Sequence, residues 1–170
     1  MTDPLAGLPR RLAALAYEAL LVTAVVFVIG FAMLPLVSPH AAPGREPLSI
    51  PALPARAGLF FVVFGVLAAY FAWSWTGGRA TLAQKTWRLR VVDRRGAMVS
   101  TRQALARYLG AWIGPAIAVI AYLILRPLGW GAHATWLVAL GFLWAFIDRE
   151  RQFLHDRIAG TRLVTAATAA

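Results

Sequence analysis

The 170-residue chain is 60% hydrophobic and 14% charged, with a mean hydropathy of +0.66, more apolar than the core of a soluble domain requires. A formal net charge of +10 would suit a nucleic-acid partner in a soluble protein, but the basic residues fall between apolar blocks and not along one face, so no nucleic-acid role is expected. The absence of cysteine excludes disulfides, thiolate metal sites and cysteine nucleophiles, and the length suits one domain, placed over residues 8–165.

Four apolar stretches approach the roughly 20 helical residues that cross about 30 Å of hydrocarbon. The first, 12–34, is entered by Arg10 and Arg11, closed by Pro35 and interrupted by one charge, Glu18. A cleaved secretory signal ending near His40-Ala41-Ala42 is the rival reading, but its apolar core would be about 7 to 15 residues long and uncharged. The helix is therefore expected to be retained. The second stretch, 58–75, carries no charge. The third, 104–125, is apolar except at Arg107; Ser100 and Gln103 have capping-box spacing ahead of it, and Gly114-Pro115 predicts a kink. The fourth, 133–147, is short and bordered by Trp130, Trp136 and Trp144, aromatics favoured at a bilayer interface along with Trp73, Trp75 and Trp112. Gly110 and Gly114 form a small-x-x-x-small step that predicts close helix packing, and Gly30 and Gly65 are expected to act similarly.

Between the second and third stretches lies a basic segment, 76–103. Thr76-Gly77-Gly78 predicts the end of a helix, and residues 81–86 a short interfacial turn carrying Lys85. Trp87 to Val92 alternates as a strand with one apolar face. Asp93-Arg94-Arg95-Gly96 supplies turn chemistry, and Ala97-Met98-Val99 is expected to return as the partner strand of a small hairpin. Arg10 and Arg11, the arginines of this segment, and Arg149, Arg151, Arg157 and Arg162 in the tail would all lie on one side of four spans. Only Arg45, Arg56 and Arg126 fall on the other. Basic residues near span ends are retained in the cytoplasm, so both termini and the 76–103 loop are expected there, and the Pro-rich loop 35–57 outside. The arginines would meet anionic lipid headgroups, each worth about 1 kcal/mol near the surface.

The predicted fold class is thus an all-α integral membrane protein: a four-helix transmembrane bundle with a small cytoplasmic hairpin or amphipathic segment between spans two and three. No nucleophile–base constellation, phosphate loop or metal set is found, so no enzyme, metal or cofactor is expected. His155-Asp156 does not supply one, because neighbours in sequence do not face each other and His40 and His133 fall on the opposite side. Within the first span, Arg11 and Glu18 share a helix face about 10 Å apart along the axis, too far for a direct bond. An ionised carboxylate at that depth costs a few kcal/mol and needs a partner or a proton.

In order and spacing these pieces resemble the RDD family of bacterial membrane proteins, named for one arginine and two aspartates. RRLAALAYE resembles the start of its first helix, with Arg11, or Arg10 as an alternate, at the arginine and Glu18 where the family has its first aspartate. TLAQKTWRLRVVD resembles the stretch between helices, with Ala83 and Arg88 where the family usually carries glycines. DRERQFLHDRIAGT resembles the closing motif, with Asp156, or nearby Asp148, as the second aspartate. The resemblance implies a bacterial inner-membrane protein of unsettled molecular function, for which transport of a ligand or cation–proton exchange has been suggested. Arg11, Glu18 and Asp156 are the implied functional charges, with Arg10, Lys85, Arg107, Asp148 and His155 as secondary candidates.

Two roles for Glu18 follow from its chemistry: a proton- or cation-binding carboxylate facing the bundle interior, or a structural ion pair with an arginine such as Arg107. The first belongs to a small-ion or solute transporter. The second belongs to a non-transporting assembly or accessory protein whose basic face binds a partner or anionic lipid. A bundle of four spans is thin, so a homo-oligomer is expected if a pathway runs through it.

Overall fold

The computed structural model describes residues 4–37 and 52–166; most of the expected 35–57 loop, with Arg45 and His40-Ala41-Ala42, lies outside the described residues. Among the described residues, three helices are long and apolar enough to cross a membrane: Leu8–Met33 within α1 (Leu8–Val37), α2 (Leu53–Trp75), and the bent helix Thr101–Leu128, built from α4 (Thr101–Ala111) and α5 (Ile113–Leu125). A five-residue helix, α3 (Leu82–Thr86), lies between α2 and α4.

Each boundary has a local cause. α1 starts before its apolar stretch and takes Arg10 and Arg11 into its first turns; it runs two residues past Pro35, because a proline in the last turn removes one backbone bond without blocking the turn behind it. Pro54 starts α2 earlier than expected, since its fixed φ suits the first helical turn and its missing N–H has no partner there anyway. α4 begins at the capping box read from sequence: the Ser100 hydroxyl accepts from the Gln103 backbone while the Gln103 side chain accepts from the Ser100 backbone. The same box, Thr81 with Gln84, starts α3. The expected kink falls at Trp112, one turn before Pro115: proline cannot donate to the Ala111 carbonyl, and the Trp112 N–H turns to Leu109 instead.

The fourth expected span is not a long α-helix. Gly131–Ala139 winds as a 3-10 helix that starts without a side-chain cap, followed by α6 (Leu140–Leu143) and a 3-10 turn at Trp144–Phe146. Apolarity alone does not choose between windings, and here packing does. The stretch lies against α5, where a Cβ on Gly114 would come within 2.6 Å of the Val138 carbonyl oxygen. Gly110, one turn earlier, would meet the His155 backbone at 3.2 Å, so both steps of the glycine pair are close approaches. Gly30 and Gly65 have open space around them.

The expected hairpin takes a different partner. β1 (Leu89–Asp93) turns through Asp93–Gly96, but the return touches it at a single bridge, Val92 to Met98, and Val99 bridges instead to Thr76. Its antiparallel partner is the tail strand β2 (Thr161–Thr165), in register Leu89↔Thr165 to Asp93↔Thr161. The return offers only residues 97–99 and leaves for Thr76 at Val99, whereas β2 pairs along all five residues of β1 and brings Leu163 to the same face as Leu89 and Val91. Pro4 to Ala6 adds further pairing to β2, through Ala6 N–H to the Leu163 carbonyl and Thr165 N–H to the Pro4 carbonyl. The start of α1, the end of α2, the start of α4 and the tail therefore meet at one end of the molecule. The core cluster sits there, with Leu67, Trp75, Leu89, Val91, Ala104, Tyr108 and Leu163.

Candidate functional site

Between the tail and this core, the helix α7 (Leu154–Ala159) packs on α4 and delivers Asp156, which is fully buried. Asp156 pairs with the buried guanidinium of Arg107. Thr161, first residue of β2, lies between the two: its hydroxyl accepts from Arg107 Nη1 at 3.2 Å and donates to Asp156 Oδ1 at 3.3 Å. The Trp75 ring covers the Arg107 guanidinium, 4.8 Å from its centroid, a desolvated cation–π contact. Trp75 is thus a core residue and not an interfacial anchor, and Trp112 packs edge-on against Phe60.

Arg11 is 2% exposed and donates Nη1 to the Arg151 carbonyl at 2.7 Å. It has no carboxylate within ion-pair distance among the described residues. Glu18 lies above it on α1. Its two oxygens accept from hydroxyls, Thr81 at 2.5 Å and Tyr70 at 3.3 Å. The expected Glu18–Arg107 pair is absent, because Arg107 is already neutralised by Asp156. Thr81 and Tyr70 were not among the residues singled out from sequence; the Thr81–Gln84 spacing was the available signal, and nothing local marks Tyr70.

Arg11, Glu18, Arg107 and His155 line one cavity of 290 Å³ whose remaining wall is largely apolar, with Leu67, Phe71 and Trp112. His155 Nε2 is 3.9 Å from Asp156 Oδ2. Burial, and then the Arg107 charge, hold this imidazole well below its ordinary pKa, so it is neutral. The other secondary candidates lie elsewhere. Arg10 and Lys85 are exposed. Asp148 organises the tail, taking Arg157 through Nε at 2.7 Å and Nη2 at 3.0 Å and accepting from the backbone of Glu150 and Gln152. The Arg157 bond holds the Asp148 carboxyl below the usual range. No group of three or more His, Cys, Asp or Glu able to hold a metal occurs among the described residues.

Among the described residues, three long apolar helices, many large apolar side chains left exposed along them, and a buried cluster of charges define a helical membrane protein. The RDD family matches residues 5–160, nearly the whole chain, and the protein belongs to that family. No curated protein and no solved structure matches it.

Proposed function

We propose that this protein is a small-ion or solute transporter of the bacterial inner membrane, with Glu18 as the carboxylate that exchanges a proton for its cargo, a cation in the simplest case. The observation that carries this reading is the state of Glu18. It lies in a cavity wall, bonded to two hydroxyls and to no cation, while the arginine that would have locked it is occupied by Asp156. A carboxylate held by neutral donors can bind and release a proton or cation without breaking an ion pair that holds the fold.

The topology belongs to the same proposal. A 3-10 helix rises about 2.0 Å per residue against 1.5 Å for an α-helix, so the stretch Gly131–Phe146 reaches roughly 30 Å, a bilayer's hydrocarbon thickness. Four crossings put both termini on one side. The pairing of residues 4–6 with β2 and the basic residues gathered there favour the cytoplasm, against anionic headgroups. A second copy of the chain would complete a pathway that so few helices leave open.

The test is cation-dependent proton flux in proteoliposomes, comparing wild type with Glu18→Gln of equal melting temperature. Flux that vanishes in the variant supports the reading. Absence of wild-type flux with every cation removes the exchange version and favours the non-transporting accessory protein, whose basic face docks a partner or anionic lipid.

A further inference from the structure

Along α1, Arg11, Ala14, Leu15, Glu18 and Val22 recur at helical spacing and line the 290 Å³ cavity as one stripe. Most of the remaining wall is apolar, with Phe71, Trp112 and Phe142 among its members. One end is polar and short of acceptors. Among the described residues that line the cavity, three hold an N–H shielded from water without a hydrogen-bond partner: Arg11 Nε, Arg107 Nε and Trp75 Nε1. The Trp75 ring lies over the Arg107 guanidinium, and Arg11 is near enough to act on that charge, so the three donors gather at the same end. A shielded donor carries its desolvation cost until an acceptor reaches it. No described residue of this wall holds a shielded acceptor that lacks a partner.

Arg11 also brings an unbalanced charge. Arg107 is neutralised by Asp156 and adds a donor only, whereas the Arg11 guanidinium is bonded to a neutral group, the Arg151 carbonyl. Asp148 and Glu150 act on Arg11 from beyond ion-pair distance, and both are engaged elsewhere. Asp148 takes Arg157 through two bonds, and Glu150 is shared between Arg157 Nη1 and Arg162 Nη2, each at 3.3 Å. Two carboxylates thus serve three guanidiniums. Glu18 does not make up the difference, because it stands about 10 Å along the helix axis from Arg11 with its oxygens on Thr81 and Tyr70.

We propose that this cavity is a binding site for a small apolar monocarboxylate. Its carboxylate accepts from Arg11 at the polar end, where Arg107 and Trp75 hold the further free donors, and its hydrocarbon or aromatic body lies along Phe71 and Trp112. A guanidinium and a carboxylate match in charge and geometry. One unbalanced positive charge selects a monoanion, since a dianion would leave its second charge buried and unpaired. The apolar wall selects against a hydrophilic acid, and a volume at the lower edge of the range of about 300 to 1,000 Å³ typical of small-molecule sites selects a small one. The site shares its cavity with Glu18 but stands without the transport reading: it is read as equilibrium binding, and absence of proton flux leaves it untouched.

The experiment uses the full chain in phosphatidylcholine nanodiscs, with empty nanodiscs titrated alongside to subtract partition into lipid. Benzoate and hexanoate are titrated calorimetrically, and benzamide serves as the neutral counterpart of benzoate. The variants are Arg11→Gln and a control, Arg126→Gln, which removes an exposed arginine at the far end of α5. Saturable binding of either acid that weakens at least tenfold in Arg11→Gln and not in the control, with benzamide at least tenfold weaker than benzoate, supports the site. If neither acid saturates, if benzamide binds as well as benzoate, or if the two variants behave alike, the proposal is overturned. Should Arg11→Gln melt lower than wild type without ligand, Ala19→Leu decides instead, since it enlarges an exposed residue of the cavity wall and leaves the arginine in place. Weakened binding of the acid in that variant supports the site, and unchanged binding overturns it.

Discussion

The two ends of this molecule invert the usual relation between polarity and burial. At the junction of helix ends and tail, the largest fully buried side chains include Arg11, Gln152, Thr81, Asp156 and Ser74, with Leu89 the one apolar member of that set. Toward the other end, Phe27, Phe31, Trp136 and Val119 are 60% or more exposed. Lipid accepts apolar surface at no cost, so nothing drives those residues inward, whereas buried polar groups must find one another. The junction is therefore specified by named bonds, and the apolar end by close packing of backbones.

The sharpest way to break this contrast is at the junction. Asp156→Asn leaves the Arg107 charge buried and unpaired, which costs about 3–5 kcal/mol, read as a large drop in melting temperature in detergent or nanodiscs. Replacing both partners with apolar residues, Arg107→Met/Asp156→Leu, recovers most of that loss. A cost below about 1 kcal/mol for Asp156→Asn would show that the pair does not hold the tail. At the apolar end the largest effect comes from Gly114→Ala, whose new methyl group meets the Val138 carbonyl; overpacking of this kind costs about 1–3 kcal/mol. Gly65→Ala, with open space around it, should change stability far less, and equal effects at the two glycines would deny that backbone approach organises this end.

Acidification supplies a finer probe. Folded His155 stays neutral beside Arg107 and Asp156, while the unfolded chain takes up a proton near pH 6.5. Below about pH 6.5 the unfolded state binds more protons, so this residue lowers stability by up to about 1.4 kcal/mol per pH unit as pH falls toward the depressed folded value. His155→Gln should flatten the dependence of melting temperature on pH between about 6.5 and 5. Asp148, depressed by Arg157, keeps its contribution through that window and loses it only as the pH falls through the carboxylate's lowered value.

The smallest effect apart from the Gly65 control is expected at Arg88, one of two positions where the resemblance implies glycine. Its φ of 52° lies in the left-handed region, which costs a residue with a Cβ about 1–2 kcal/mol. Arg88→Gly should therefore raise stability by up to about 1 kcal/mol, and a fall in melting temperature would show that the arginine side chain compensates the strain. Ala83, at the other such position, is fully buried in α3 and adopts no such backbone.

Local chemistry was legible from sequence wherever it acts over a few residues. The capping box at Ser100, the kink near Pro115, the glycine pair facing close neighbours and three apolar helices all follow from spacing and composition. The family was legible too, from the order and spacing of three short motifs. What sequence spacing could not decide was which distant groups satisfy one another. β1 chose the tail over its own turn because the tail offered an apolar face of matching length. Arg107 chose Asp156 over Glu18, and Glu18 was left to the hydroxyls of Thr81 and Tyr70. Each choice is a competition between partners far apart in the chain, settled by where packed helices bring them, and so it belongs to the tertiary structure alone.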